Sequence, residues 1–475
     1  MFLFIRHWED NMNNKNLVID GGKPVRLKEF KSKSYITDEM KSRIMKIIED
    51  GNFSCFIGSP IPGTKEIIAL ESYEVGKLTN SVSFLGGASV RQFEALWSDI
   101  HKCKFSISVN SATSALITAL MALNVGPGSE VVCSPFSFTA SATAIIAANA
   151  IPVFADIDPE TFCLSSESVE SALTDSTKAI MPIHWNSNAG DLSSILLIAK
   201  SNDLSVIEDA AQAPGELYDG KYLGTHGDVG VFSFNQPKNI MTGEGGMIVT
   251  DKKEIAIRCR LIRNHGEAIV DDSYTNEMAM NIVGYNFRLI ELLAELGTAQ
   301  TEQLEYLNKI RRENYMYLVD KLVQIVGEYI IPQKITHIDS YYPYTAGFRW
   351  LSDKSGIHRD VIANILRTEG IPVASGISRL MSDNPLFQRQ LAYGRNGCPF
   401  SCHLYKGRET YSIPELPNAR RLQNEEYLGF FQIGWPNTKE DMDDIIKAFE
   451  KILHNKQRLK QESKNLLKNE FIPGR

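Results

Sequence analysis

Residues 227–238 read GDVGVFSFNQPK, and residues 239–246 continue as NIMTGEGG. This segment places a lysine, Lys238, beside a proline and before a glycine-rich turn, between two β-rich runs. Such surroundings are not typical of a solvated lysine. A partly buried lysine has a lowered pKa and can form a Schiff base with a carbonyl group. Gly245 and Gly246 allow close approach of another backbone segment. Lys238 is therefore the first candidate catalytic residue.

Outward from this lysine, short β-rich runs alternate with helical stretches between about residues 105 and 251. Several runs are almost continuously apolar, which suits strands buried on both faces of a sheet. The alternation predicts an α/β fold whose mostly parallel sheet is flanked by helices. The predicted strand runs are 130–135, 151–157, 178–185, 204–210, 228–234 and 246–251.

The patterns outside this region predict the domain organisation. Apolar residues recur at helical spacing in 36–50 and again in 285–325. From about residue 330 the alternation stops, which favours a smaller α+β region. The predicted divisions are an N-terminal arm (1–35), a large domain (36–300) with a loop or insertion (51–84), a small C-terminal domain (301–455) and a polar tail (456–475), either a solvated helix end or disordered.

Composition narrows the functional classes. The chain has 475 residues, 43% of them hydrophobic, and a formal net charge of -7. The acidic net charge argues against a nucleic-acid partner. The sequence contains no run of 18 apolar residues, so no membrane-spanning helix is predicted. The start, MFLFIRHWED, does not have the basic-then-apolar order of a signal peptide. The seven scattered cysteines suggest reduced thiols and a cytoplasmic enzyme.

Two alternative kinds of site are weak in this sequence. Gly58–Lys65 nearly matches a phosphate-binding P-loop, but its last two residues are in the wrong order and two prolines remove N–H groups. Cys398 and Cys402 are close in sequence and His403 follows them, but structural zinc needs four well-placed ligands. We therefore expect neither a P-loop nor a metal site.

Three further segments have both a structural and a functional interpretation. Ser111, Thr113 and Ser114 stand at a helix start, where hydroxyl residues cap the helix but the free N–H groups also bind phosphate. Phe138 follows a strand, where it either packs in the core or stacks on a flat ring. Asp209 ends an apolar strand, where it either caps a helix or pairs with a cationic ligand.

Taken together and in this order, the segments resemble the DegT/DnrJ/EryC1/StrS family of sugar aminotransferases, over about residues 85–455. The resemblance implies the fold type I of pyridoxal-phosphate (PLP) enzymes, with a mostly parallel seven-stranded sheet and a smaller α+β C-terminal domain. It implies that Lys238 holds PLP as an internal aldimine and that Asp209 pairs with the pyridine nitrogen. The other implied cofactor residues are Gln212 near the 3'-oxygen, Phe138 on the ring, and Thr113, Ser114 and Ser233 at the phosphate.

The resemblance also implies a homodimer with shared active sites. Gly284–Arg288 resembles the family's GYNYR segment, in which the asparagine reaches the partner's cofactor phosphate, so Asn286 is carried over. Arg288 is expected to help bind the donor carboxylate. Three further residues are expected near the substrate. Asn235 and His184 stand in segments where this chain departs from the family pattern, and Arg395 stands in a loop of the kind that carries specificity.

The implied activity is amino transfer from L-glutamate or L-glutamine to a ketosugar by ping-pong kinetics. Dehydratases of the family replace the lysine with histidine, and this chain keeps Lys238. The first acceptor class is a nucleotide-linked keto-hexose. The alternative is a free ketosugar, a keto-acid sugar or a ketocyclitol, which the GGKPVR segment at 21–26 favours by its resemblance to cyclitol members. A non-catalytic PLP-binding regulator is the third interpretation.

Overall fold

The computed structural model describes residues 16–31, 34–56, 85–266, 282–394, 396–408 and 411–468. Most of the predicted insertion at 51–84 and the whole P-loop-like segment lie outside these ranges. Arg395 and the end of the predicted tail also lie outside them.

The strands run in chain order from the large sheet to the small one. They are β1 (Phe105–Val109), β2 (Glu130–Cys133), β3 (Ile151–Phe154), β4 (Thr177–Met181), β5 (Ser205–Asp209), β6 (Leu217–Tyr218), β7 (Lys221–Tyr222), β8 (Val229–Ser233), β9 (Gly246–Thr250), β10 (Ile330–Pro332), β11 (Ala346–Trp350), β12 (Ala374–Ser375) and β13 (Tyr427–Phe430).

The helices cover both faces of the large sheet and one side of the small one. They are α1 (Asp38–Asp50), α2 (Ala88–His101), α3 (Ala112–Ala122), α4 (Ala140–Ala147), α5 (Ser166–Ala172), α6 (Leu192–Ser201), α7 (Lys253–Arg263), α8 (Glu291–Thr301), α9 (Leu304–Val326), α10 (Ser352–Ser355), α11 (Arg359–Thr368), α12 (Pro385–Gln388), α13 (Pro417–Arg421), α14 (Lys439–His454) and α15 (Lys456–Lys468).

The large sheet has seven strands in the order β1-β9-β8-β5-β4-β2-β3. Strands β3, β2, β4, β5 and β8 pair in parallel, whereas β9 runs antiparallel to both β8 and β1. The predicted α/β class with a mostly parallel seven-stranded sheet is confirmed. Because β2, β4, β5 and β8 are parallel, their carboxyl ends meet at one edge, where open α/β sheets bind ligands.

The small sheet is entirely antiparallel, in the order β10-β11-β13-β12. Its core is aromatic, with Phe348 and Phe430 at 5.9 Å between ring centroids, and it is covered by α9 and α14. Several residues between 380 and 422 instead pack into the core of the large sheet. The C-terminal part therefore contacts both sheets, and the boundaries at 300 and 455 stay predictions.

The sequence predicted either a solvated helix end or disorder from residue 456, and residues 456–468 form helix α15, which is not fully solvated. Leu459 is fully buried in the core of the small sheet. The Ser463 hydroxyl accepts a hydrogen bond from the backbone N–H of His358 at 3.1 Å. The composition of this segment is basic and polar, but the helix carries a short apolar stripe that packs against the core of the small sheet.

The N-terminal arm is bound to the small-sheet region by residues more than 340 positions away. The buried carboxylate of Glu369 accepts hydrogen bonds from the backbone N–H groups of Val18 (2.9 Å) and Val25 (3.2 Å) and forms an ion pair with Lys451 (2.7 Å). Arg26 forms ion pairs at 2.8 Å with Asp441 and Asp444. We call this set of contacts the arm clasp. The GGKPVR segment therefore serves at least as an anchor for the arm.

Replacing Glu369 with alanine should lower the free energy of unfolding by about 3–5 kcal/mol, because it leaves the ammonium of Lys451 buried without its carboxylate. Urea denaturation would measure the change. The matched control is Glu328→Ala, which removes an exposed pair to Lys354 at 3.7 Å and should cost less than about 1 kcal/mol. Equal effects of the two variants would contradict the importance of the arm clasp.

Among the described residues, no helix is long and apolar enough to cross a membrane. All seven cysteines are free thiols, four of them buried. In the same described part of the chain, no group of three or more His, Cys, Asp and Glu side chains is placed to hold a metal ion. The cytoplasmic location stays a prediction.

Candidate active site

Lys238 lies in the turn between β8 and β9, where its backbone N–H donates to the Asn235 carbonyl at 2.9 Å. Its Nζ atom lies 4.6 Å from the centroid of the Tyr344 ring. Burial lowers the pKa of Lys238 to about 8, and the negative charge of Asp209 opposes this shift only in part. A lowered pKa leaves more of the amine unprotonated near neutral pH, as a nucleophilic lysine requires.

The pKa of Lys238 predicts how the cofactor-free protein takes up an aldehyde. Only the neutral amine attacks a carbonyl, so the rate should rise about tenfold for each pH unit below 8 and level off above it. Stopped-flow absorbance after mixing the cofactor-free protein with pyridoxal phosphate would measure this profile. A midpoint near 10.5, the ordinary value for lysine, would contradict the burial argument.

Asp209 is the last residue of β5 and is buried. Its Oδ2 atom accepts a hydrogen bond from the Ser141 hydroxyl at 2.7 Å, and its Oδ1 atom accepts one from the Ala211 N–H at 3.2 Å. No helix begins in the turn that follows, so the helix-cap interpretation does not hold here. A buried carboxylate at the carboxyl edge of the sheet, within electrostatic reach of Lys238, suits a cationic ring nitrogen.

The start of α3 lies at the same edge of the sheet. Ser111 caps the helix, since its hydroxyl accepts the Ser114 N–H at 3.1 Å, while the Ser114 hydroxyl donates to Asn110 at 2.7 Å. A Cβ atom at Gly246 would lie 2.6 Å from the Ser111 carbonyl carbon, so only glycine permits this approach. Gly246 pairs with Ser233 across β8 and β9, so Ser233 neighbours the residue that approaches the helix start. The cap interpretation holds for Ser111, and phosphate binding at this helix start stays a prediction.

Phe138 and Gln212 are two further predicted cofactor residues. Phe138 is 75% exposed, whereas Phe136, two residues earlier, is fully buried against Trp185. The core-packing interpretation therefore applies to Phe136, and Phe138 is free to stack on a ring. The Phe138 carbonyl accepts the Ser141 N–H at 3.3 Å, which places it on the turn that carries the hydrogen-bond donor of Asp209. Gln212 is held by the Asn186 N–H, which donates to its Oε1 atom at 2.7 Å.

The expected substrate residues differ in where their side chains lie. His184 is at the same strand end as Asp209, because its backbone N–H donates to the Asp209 carbonyl at 3.1 Å, but its fully buried ring contacts Glu208, with Nε2 at 2.9 Å. The Asn235 amide donates to Glu244 at 2.9 Å, three residues before Lys238. Arg288 donates to the exposed Asn286 side chain at 2.8 Å. The predicted reach of Asn286 into a partner subunit stays a prediction.

Comparison with known proteins identifies the group to which the chain belongs. The model of the DegT/DnrJ/EryC1/StrS aminotransferase family matches residues 65–426. The protein is a member of this family. It is an aminotransferase, and the resemblance drawn from the sequence is confirmed.

Two relatives and one solved structure illustrate the sequence identity of this aminotransferase to known proteins and the share of the chain that each match covers. The L-glutamine:2-deoxy-scyllo-inosose aminotransferase of Streptomyces kanamyceticus is 30% identical over 94% of this chain and 98% of the relative. The UDP-N-acetyl-3-dehydro-alpha-D-glucosamine 3-aminotransferase of Acidithiobacillus ferrooxidans is 32% identical over 74% of this chain and 89% of the relative. The structure of NtdA from Bacillus subtilis with bound cofactor PMP is 23% identical, covers 88% of this chain and 83% of that chain, and has a TM-score of 0.67, which supports the fold.

Sequence reasoning missed several residues of the aminotransferase site. Ser141 belongs to a run of small residues, and no sequence signal distinguishes it from a helix-start serine. Tyr344, against Lys238, comes from the small-sheet region more than 100 positions away. No site residue was predicted in the N-terminal arm, yet Ser34 accepts a hydrogen bond from the side chain of Gln236, two residues before the lysine, at 2.9 Å.

Proposed function

We propose that the protein is a PLP-dependent aminotransferase that transfers the amino group of L-glutamate or L-glutamine to a ketosugar, with a nucleotide-linked keto-hexose as the first acceptor class. The observation that carries the proposal is the buried Lys238 amine, with its lowered pKa, within electrostatic reach of the strand-end carboxylate of Asp209. The structure of NtdA from Bacillus subtilis, which contains the bound cofactor PMP, supports the choice of cofactor.

The donor set of the site suits PLP. An amine for the aldehyde, a buried carboxylate for the ring nitrogen, an exposed aromatic ring and a hydroxyl-lined helix start occur at one edge of one sheet. In this assignment Thr113, Ser114 and Ser233 would hold the phosphate, Phe138 would cover the ring, and Gln212 would bind near the 3'-oxygen. Asn286 of a second copy would complete the phosphate site of a homodimer.

When bound, PLP supplies an electron sink for the charge that develops at the donor carbon. Asp209 keeps the ring nitrogen protonated by pairing with its positive charge. The free amine of Lys238 would act as general base and general acid and would move the proton between the donor Cα and the cofactor C4'. The same residue performs the reverse transfer for the acceptor, so the two half-reactions share one site.

A second acceptor class is a ketocyclitol. The observation that favours it is the match to the Streptomyces kanamyceticus relative, which acts on 2-deoxy-scyllo-inosose with L-glutamine and aligns over 94% of this chain, against 74% for the nucleotide-sugar relative. The longer match extends beyond the part of the chain that the family model covers.

The test is the visible absorption spectrum of the purified protein before and after L-glutamate or L-glutamine. Loss of the cofactor band with one donor would establish the first half-reaction and name the donor. Recovery of the band with a nucleotide-linked 3-keto or 4-keto hexose, but not with 2-deoxy-scyllo-inosose, would select the first acceptor class. A protein that takes up no PLP would refute the proposal, and bound PLP that reacts with neither donor would support a regulator instead.

A further inference from the structure

The loop after β4 places Asn186 in the left-handed backbone region, with φ of 55° and ψ of 30°. Ser187, the next residue, also has a positive φ, of 72°. Both residues are fully buried. Non-glycine residues adopt this conformation at an energetic cost, which asparagine tolerates better than most. Such a backbone persists only where its surroundings hold it, and it is commonest at functional sites.

Four hydrogen bonds hold Asn186 in this conformation. Its backbone N–H donates to the Gln212 Oε1 atom at 2.7 Å, and its backbone carbonyl accepts from the Tyr341 hydroxyl at 2.7 Å. Its side-chain Oδ1 atom accepts from the Thr345 hydroxyl, and its Nδ2 atom donates to the Gln333 Oε1 atom at 3.0 Å. Three of these partners belong to the small-sheet region, whereas Gln212 follows β5 of the large sheet. Asn186 therefore joins the two regions.

The bond from Asn186 fixes the orientation of the Gln212 carboxamide. A carboxamide has one acceptor oxygen and an NH2 group with two donors, so the reversed orientation would set two donors against each other. The Ser187 hydroxyl donates to the Gln212 backbone carbonyl and holds its main chain as well. Among the described residues, none accepts a hydrogen bond from the Gln212 Nε2 atom. This NH2 group is thus left to donate to an acceptor from outside the chain.

One segment of the small-sheet region contacts both Asn186 and Lys238. Thr345, which donates to Asn186, directly follows Tyr344, whose ring centroid lies 4.6 Å from the Lys238 Nζ atom. Gly347 in β11 leaves room for the Asn186 side chain, because a Cβ atom there would lie 2.7 Å from its Nδ2 atom. A shift of this segment would therefore change the surroundings of the reactive lysine and of Asn186 together.

We propose that Asn186 is a positioning residue. It fixes the Gln212 carboxamide so that the Nε2 group donates to the 3'-oxygen of PLP, and it ties this orientation to the segment that contacts Lys238. The proposal rests on the proposed function and adds a residue to it. Hydrogen bonds to a charged oxygen are about twice as strong as those between neutral groups, so an NH2 group held in this way favours a ligand that carries the 3'-oxygen. Asn186 acts on that oxygen only through Gln212, because its own N–H is used in the bond to Oε1.

The experiment measures how the cofactor-free protein discriminates PLP from 3-deoxypyridoxal phosphate, the analogue without the 3'-oxygen, by equilibrium titration. We call the ratio of the two dissociation constants the 3'-oxygen preference. The preference of the wild type should exceed that of Gln212→Ala about 10- to 100-fold. Asn186→Ala loses the side-chain anchors and disfavours the left-handed backbone, so it should reduce the preference about 3- to 10-fold. Asn186→Gly, which readily adopts that backbone, should recover part of it.

The decisive variant combines Asn186→Ala with Gln212→Ala. A residue that acts through Gln212 should add nothing to the loss of preference in Gln212→Ala, so the two effects should not be additive. Should Asn186→Ala fail to fold, Thr345→Val tests the same prediction, because it removes only the hydroxyl that donates to the Asn186 side chain. The matched control is Asn149→Ala, which changes an exposed left-handed asparagine (φ 60°) after α4 and should leave the preference unchanged.

An equal loss of affinity for PLP and for the analogue in Asn186→Ala would overturn the proposal, because a merely structural residue affects both ligands alike. A wild type with the same preference as Gln212→Ala would also overturn it, since Gln212 would then not donate to the 3'-oxygen. In both cases a protein that still reacts with an amino donor would retain the proposed function. A wild type that binds neither ligand would refute the proposed function itself.

Discussion

Lys238→Ala should slow the half-reaction with the amino donor by a factor on the order of 10² to 10⁴, the usual contribution of a positioned general acid or base. The variant removes the amine that the turn between β8 and β9 places in the site, 4.6 Å from the Tyr344 ring centroid. Alanine leaves the backbone contacts of the turn in place, since the Lys238 N–H still donates to the Asn235 carbonyl. Single-turnover absorbance with excess donor would measure the rate.

Lys334→Ala is the matched control for this variant. Lys334 is a surface lysine, and its ion pair with Glu160 at 3.0 Å joins two exposed side chains. Its removal should change neither the rate nor, by more than about 1 kcal/mol, the stability. A Lys238→Ala protein that keeps more than about a tenth of the wild-type rate would exclude Lys238 from proton transfer.

Asp209→Asn should lower kcat/KM by a factor on the order of 10² to 10³. Asparagine has the same shape, and the Ser141 hydroxyl can still donate to its oxygen, so the fold should persist. The negative charge that would pair with the protonated ring nitrogen of PLP is lost, however. Removing one partner of a buried ion pair costs about 3–5 kcal/mol. The loss should be accompanied by weaker PLP binding, which equilibrium titration of the cofactor-free protein would measure.

The effect of Asp209→Asn is best judged beside Ser141→Ala and Asp219→Asn. Loss of the 2.7 Å bond from the Ser141 hydroxyl should cost about 1.5–3 kcal/mol at most, because the charge itself remains. Asp219 is an exposed partner of His337, and its replacement should have no effect on catalysis. If Asp209→Asn were no worse than Ser141→Ala, the charge of Asp209 would have no role in the reaction.

The large sheet could be predicted from sequence because its strands carry their own signal. Several of the six runs from 130 to 251 are almost continuously apolar, and each overlaps a strand of the structure. Strand β1 was missed because FSISV alternates polar and apolar residues, yet Ser106 and Ser108 are fully buried. Ser108 is accommodated by a hydrogen bond from its hydroxyl to Glu94 at 2.9 Å, a tertiary contact that no local pattern reveals.

The site could be predicted only where function constrains a short segment. Lys238, Asp209 and the start of α3 lie in recognisable motifs, and the fold brings them to one sheet edge. Tyr344 could not be predicted, because the segment before β11 has the pattern of an ordinary loop. Its position depends on how the small-sheet region packs beside the turn of Lys238, which is a property of tertiary structure alone.

The arm clasp also bears on the order in which the molecule is made. The partners of Arg26, Asp441 and Asp444, are synthesised more than 400 positions after it. Chains fold from the N-terminus during synthesis, so the large sheet can assemble while the arm still lacks its binding surface. The arm, whose Ser34 accepts a hydrogen bond from Gln236 two residues before Lys238, can therefore make its ion pairs only after α14 has been synthesised. A chain cut short before α14 would lack this anchor for the arm.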